Sequence, residues 1–156
     1  MEIIELIEIL RDKKLKIATA ESCTGGLLAK KITDVSGASE VFEMGIVSYA
    51  NRIKNEFLDV PNDVLDTVGA VSEETARQMA IGVANLAKSD VGVGITGIAG
   101  PGGGTEEKPV GLVYISIYLA KEKKCVVKKL MLNGNREEIR EQTTNIVIDE
   151  VGKIVN

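Results

Sequence analysis

The stretch from Asp90 to Gly111 limits most tightly how this chain folds. Asp90-Val91-Gly92-Val93-Gly94-Ile95-Thr96-Gly97 reads as a strand, and the following Ile98-Ala99-Gly100-Pro101-Gly102-Gly103-Gly104-Thr105 cannot be a helix. The string contains G-x-G-x-x-G, but the dinucleotide fingerprint needs a helix opening within it, and here the glycines lie in the strand itself. No G-K-[ST] closes the run as a Walker loop requires. The expected element is a strand that delivers a long loop, Gly97 to Gly111, ending in Thr105-Glu106-Glu107-Lys108-Pro109. Glycine-rich backbone wraps a phosphate or ribose closely because no Cβ obstructs the approach, which makes Gly100, Gly102, Gly103 and Thr105 candidate contacts. The plainer alternative is a surface loop without a ligand.

The rest of the chain alternates between strand and helix patterns. Leu15, Ile17 and Ala18 read as a short buried strand, and Phe42 to Ala50 as a second. Leu112 to Ala120 and Cys125 to Leu132 form a hairpin across the turn Lys121–Lys124, which makes the sheet mixed. Helical patterns cover Met1 to Leu10, Leu27 to about Asp34, and a short segment that Asn51 caps and that carries Lys54, Phe57 and Leu58. A longer helix follows the cap Ser72, with Met79, Val83, Leu86 and Ala87 as its apolar face; the last runs from about Arg136 to Val155. The predicted architecture is a three-layer α/β/α sandwich with a mixed sheet of about five strands, one domain over residues 1–156.

The absence of histidine narrows the chemistry. It removes the usual general base, the usual metal ligand and the Ser-His-Asp triad together, so nucleophilic catalysis must use lysine, tyrosine or a carboxylate as base. Two cysteines, Cys23 and Cys125, suggest neither a zinc site nor a disulfide framework, and no metal is expected. The net charge of −4 argues against nucleic acid or an anionic membrane as partner. No apolar run spans a bilayer, and Glu2, Glu5 and Glu8 contradict a signal peptide, so a cytoplasmic location is expected.

Two corners stand out. Ala20-Glu21-Ser22-Cys23-Thr24-Gly25-Gly26 lies at a strand-to-helix turn, which lifts a side chain above the sheet end and aims the next helix's N–H groups at whatever binds there. Ser22 is a candidate nucleophile and the Thr24, Gly25 and Gly26 amides are candidate oxyanion donors; alternatively Ser22 or Thr24 merely caps the helix. Tyr49, Asn51 and Lys54 cluster at a second such junction, which falls on the same sheet edge if the two strands are parallel neighbours. Arg136 and Arg140, one turn apart near the start of the last helix, oppose its dipole and hint at anion binding.

With those residues placed, the chain resembles the C-terminal domain of the CinA family, which also occurs alone as the PncC-type nicotinamide mononucleotide deamidase. The resemblance covers nearly the whole chain and rests on several motifs in order. They are A-E-S-C-T-G-G at 20–26, G-I-V-S-Y-A-N-R-I-K at 45–54, G-A-V-S at 69–72, G-I-A-G-P-G-G-G-T-E-E-K-P-V-G at 97–111, and G-N-R at 134–136. It implies hydrolysis of the carboxamide of nicotinamide mononucleotide to nicotinate mononucleotide and ammonia, without a cofactor. The nucleophile then falls on Ser22 and the lysine on Lys54, with Tyr49 close by and either Lys54 or Tyr49 as base. The substrate phosphate is assigned to the glycine loop with Arg136 or Arg140, and the pyridinium partner stays open, with Glu21 a weak candidate. The N-terminal domain of the longer CinA architecture is related to molybdopterin-binding proteins, and its activities do not carry over to these residues. A reading of another class, a non-catalytic nucleotide-binding module in a competence or damage-response pathway, also fits the family's naming. Homo-oligomerisation is left open.

Overall fold

The computed structural model describes residues 1–156, and its first strand β1 (Ile17–Glu21), inside the sheet, is buried at every position. Strands β2 (Phe42–Val47) and β3 (Val91–Gly97) flank β1 in parallel. Strands β4 (Leu112–Leu119) and β5 (Lys124–Met131) continue the sheet antiparallel, giving the order β2-β1-β3-β4-β5. The sheet is mixed and five-stranded, as the alternating patterns predict.

Helices cover both faces. One face carries α1 (Ile3–Asp12), α2 (Leu27–Thr33) and α6 (Arg136–Val155), and the other carries α3 (Asn51–Leu58), α4 (Asn62–Thr67) and α5 (Glu73–Ala87). The period-2 alternation of the strands divides the core accordingly. Ile17, Val93, Ile95, Val113 and Ile115 join Leu6, Leu10, Leu28, Ile139 and Val147 on the first face, while Ala18 and Ala20 meet Leu58, Leu65, Met79 and Val83 on the second.

The second face is lined by small residues for a steric reason. A Cβ at Gly92 would lie 2.1 Å from the Ala80 carbonyl oxygen, and one at Gly94 would lie 2.4 Å from that of Ala76. Gly92 and Gly94 of the G-x-G-x-x-G string therefore let α5 lie directly on β3, and the space over them is filled by helix backbone, which agrees with rejecting the dinucleotide fingerprint. Gly82 does the same on the outer side of α5, where a Cβ would meet the Leu58 carbonyl oxygen at 2.0 Å.

Several boundaries differ from expectation. The second strand ends at Val47, because the chain leaves the sheet there to start α3; Ala50 is the N-cap of that helix and Asn51 its first residue, with no side-chain cap. Leu86 is 44% exposed and lies outside the apolar face of α5. Ser72 caps α5 as predicted, its Oγ accepting from the Thr75 N–H at 3.2 Å. No helix is long and apolar enough to cross a membrane.

Candidate active site

Three parallel strands, β1, β2 and β3, end on the same edge of the sheet, and strand order reverses around β1 and β3. Open α/β sheets bind ligands in the crevice at such a reversal. The crevice here is a cleft of about 270 Å³, lined by Ser22 and Cys23 after β1, Tyr49 and Lys54 beyond β2, Ala70 and Val71 before α5, Thr96 to Gly103 apart from Pro101, and Arg136 from α6.

Lys54 is brought to Ser22 by helical spacing. It shares the buried face of α3 with Leu58, one turn on, so its stem runs along the core and only 1% of the residue is exposed. Its Nζ donates to the Ser48 carbonyl oxygen at 2.6 Å and to that of Tyr49 at 3.4 Å, and lies 3.0 Å from Ser22 Oγ. No carboxylate pairs with it. Burial pushes the ammonium down from 10.5 to about 8, against a smaller upward effect of Cys23. Two carbonyls thus fix two N–H directions, and in the neutral amine the lone pair is left for the Ser22 hydroxyl.

Consecutive residues at the end of β1 serve opposite faces of the sheet. Ser22 faces Lys54, whereas the carboxylate of Glu21, 1% exposed, accepts from Thr24 Oγ1 at 2.7 Å, Leu28 N at 2.9 Å and Ala29 N at 3.0 Å. Glu21 therefore fills the N-terminus of α2 and is not a partner for a substrate cation. Cys23 is 6% exposed and packs with the larger core while touching the cleft; burial pushes its thiol up to about 11.

Of the predicted site residues, Ser22, Tyr49, Lys54, Gly100, Gly102, Gly103 and Arg136 line one cleft, and Glu21, Thr24, Gly25, Gly26, Asn51, Thr105 and Arg140 do not. The Gly25 N–H is spent on the Ser22 carbonyl at 3.0 Å. Cys23, Ala99, Gly100, Gly102 and Gly103 line the cleft, and their main-chain N–H groups donate to no backbone carbonyl. Arg140 lies behind the turn, donating to the Thr24 carbonyl at 2.9 Å and closing against Gly25, whose φ of 61° gives the backbone its return. Asn51 is exposed, and Thr105 turns back on its own loop through Lys108. Arg136 donates to the Gly100 carbonyl at 2.8 Å and to the Tyr49 hydroxyl at 3.1 Å. With the residue 62% exposed and its hydroxyl engaged by a guanidinium, Tyr49 is less suited than Lys54 to take a proton from Ser22.

Sequence reasoning missed Ser48, Ala70, Val71 and Thr96. Ser48 acts through its carbonyl, which no side-chain type announces. Thr96 donates to the Ala70 carbonyl at 2.7 Å and so ties β3 to the segment before α5; its position at the end of a strand on the site edge was the available signal. No three His, Cys, Asp or Glu side chains converge anywhere in the chain as metal ligands.

Fold and cleft together define an α/β domain with a buried serine–lysine pair at the carboxyl ends of its parallel strands. The sequence model of the CinA C-terminal domain matches residues 3–155, and the chain belongs to that family. A CinA-like protein of Kosmotoga olearia is 51% identical over 146 residues, and a relative from Thermoanaerobacter pseudethanolicus, named for competence-damage induction, is 55% identical over 146 residues. Each alignment covers 94% of this chain but 35% of the relative, so the chain spans about a third of the length of these curated relatives. Among solved structures, the competence/damage inducible protein CihA of Agrobacterium tumefaciens is 37% identical with a TM-score of 0.93, covering 100% of this chain and 97% of that one. A CinA superfamily protein of Escherichia coli is 28% identical with a TM-score of 0.91, covering 97% and 90%.

Proposed function

We propose that this domain is a cytoplasmic, metal-independent amidohydrolase that converts nicotinamide mononucleotide to nicotinate mononucleotide and ammonia through Ser22 and Lys54. The observation that carries the reading is the 3.0 Å contact between Lys54 Nζ and Ser22 Oγ in a site where burial holds the amine near pH 8. A serine hydroxyl is a weak nucleophile until a neighbour takes its proton, and Lys54 is the only amine within reach of it.

In the proposed reaction neutral Lys54 accepts the Ser22 proton as Oγ bonds to the carboxamide carbon. The oxyanion is assigned to the main-chain N–H groups of Cys23 and Ala99 in place of the Thr24–Gly26 amides, which leaves the glycines of the loop to the phosphate. Collapse breaks the C–N bond, Lys54 returns its proton to the leaving nitrogen, and ammonia departs, leaving an ester on Ser22. Water, deprotonated by the same amine, then attacks the ester carbon; the C–Oγ bond breaks, Lys54 returns that proton to Ser22 Oγ, and the carboxylic acid leaves. Cleft residues carry no carboxylate, so the pyridinium meets no acidic side chain; the phosphate is assigned to Arg136 and the adjoining glycine loop.

The family resemblance supplies the substrate and the dyad supplies the chemistry. Ammonia release from nicotinamide mononucleotide, measured with the wild type and Ser22→Ala, tests both. Turnover by the wild type alone supports the reading; binding of the nucleotide without any release would favour a non-catalytic module.

A further inference from the structure

Glu21 joins the two halves of the dyad, and we propose that it is the positioning residue that sets the Ser22–Lys54 distance. The inference rests on the reading of Ser22 as nucleophile and Lys54 as base, and assigns a role to a side chain that the reaction itself does not use.

The carboxylate fixes the serine's half. An ionised acid out of water is costly unless hydrogen bonds and local dipoles offset the loss of solvent. At Glu21 they come from Thr24 Oγ1 and the Leu28 and Ala29 amides, at 2.7, 2.9 and 3.0 Å. The N-cap position of α2 is Gly26, which has no side chain, so the cap is supplied from the far side of the turn. Residues Ser22 to Gly26 are thereby closed into a loop whose two ends are tied to each other. Gly26, with φ 99°, lets the chain return into the helix.

The main chain of the same residue fixes the lysine's half. The Glu21 carbonyl accepts from Ser48 N at 2.8 Å and from Ser48 Oγ at 3.4 Å, and the Ser48 carbonyl in turn holds Lys54 Nζ at 2.6 Å. The side chain thus anchors the nucleophile's turn and the main chain anchors the carbonyl that orients the base, so loosening the carboxylate shifts Ser22 relative to Lys54. Displacements of about 1 Å at such a pair cost about 100-fold in rate.

The test compares Glu21→Gln with the wild type in steady-state kinetics on nicotinamide mononucleotide, counting active molecules by the end-point labelling of Ser22 with a fluorophosphonate. The amide presents N–H to one of three donors that need an acceptor, and the expected result is kcat per labelled serine lowered about 10–100-fold. KM and the midpoint of the pH profile stay within about twofold and 0.3 unit of the wild type, because neither binding nor the base is altered. A raised KM with unchanged kcat would make Glu21 a substrate contact, and loss of a limb of the pH profile would make it a proton carrier. A lowered melting temperature with unchanged kcat per labelled serine would make its role purely structural. Each of those three results overturns the proposal. If Glu21→Gln does not fold, Thr24→Val removes a single donor and is expected to lower kcat several-fold at constant KM, with Thr24→Ser restoring it; an unaffected Thr24→Val would overturn the proposal equally. A wild type that neither labels at Ser22 nor releases ammonia would instead overturn the hydrolase reading itself.

Discussion

Ser22 Oγ and Lys54 Nζ lie 3.0 Å apart although 32 residues separate them, and neither residue pairs with a charged group. The pairing depends on β1 and β2 being parallel neighbours in register Glu21 to Val47, so that their two exits open side by side. A helical turn after Ala50 then returns Lys54 beneath the serine.

Lys54 has a consequence for stability that does not depend on catalysis. In the unfolded chain it titrates near 10.5 and in the folded chain near 8. Between those values the unfolded state binds the extra proton, so this residue's contribution to stability rises with pH across that window. Below about 8 the folded state carries the full cost of the buried charge. Melting temperatures of the wild type and Lys54→Met, compared from pH 7 to pH 10, should therefore shift in favour of the wild type as pH rises. A difference independent of pH would mean that the buried amine is not depressed.

Ser22 and Cys23 should separate cleanly in their chemistry. The Cys23 thiol, pushed up to about 11 by burial, is a neutral core group at pH 7. Cys23→Ala should keep turnover within about threefold, while Ser22→Ala should lose at least about 100-fold. Initial rates of both variants decide the matter, and inactivity of the cysteine variant alone would reverse the assignment.

Much of this arrangement is legible in the sequence, and the limits have identifiable causes. Pattern and caps located all five strands and every helix except the short α4, and the Ser22 and Lys54 junctions were expected on one edge if the first two strands were parallel neighbours, which they are. The Ser48 carbonyl that holds Lys54 was not legible, because it acts without using a side chain. The two arginines near the start of α6 looked equivalent, yet one turn of helix sends Arg136 over the cleft and Arg140 behind the nucleophile turn. Glu21 was read as a ligand contact because nothing local reveals that helix amides seven and eight residues on need its carboxylate.

The two arginines should accordingly behave differently. Arg136→Ala should raise KM about tenfold or more with kcat changed little, since a phosphate remote from the amide is held equally in ground and transition states. Arg140→Ala should lower kcat and melting temperature together with little effect on KM, because it releases the Thr24 carbonyl and leaves the turn loose. Equal effects on KM would place both guanidiniums on the substrate.

Gly94→Ala tests the account of the glycine string. Its Cβ would sit 2.4 Å from the Ala76 carbonyl oxygen, so α5 must move off the sheet. Overpacking of this kind costs about 1–3 kcal/mol, or more against backbone. Urea unfolding should show a lowered midpoint; a phosphate role for these glycines would instead raise KM and spare stability.

Hydrolysis should survive exhaustive chelation, because the proposed steps use only Ser22, Lys54 and backbone amides. Activity lost to a chelator and restored by a divalent ion would require an oxygen-ligand site outside this mechanism.

The central claim is that neutral Lys54 takes the proton from Ser22, and the pH dependence of ammonia release by the wild type and Lys54→Arg tests it most directly. Arginine keeps the charge but does not deprotonate in the accessible range. The account predicts that wild-type kcat/KM climbs about tenfold per pH unit below a midpoint near 8 and levels above it. Lys54→Arg should lose at least about 100-fold in kcat with no such rise. An arginine variant with wild-type turnover and a wild-type profile would contradict the claim and leave Tyr49 as the base.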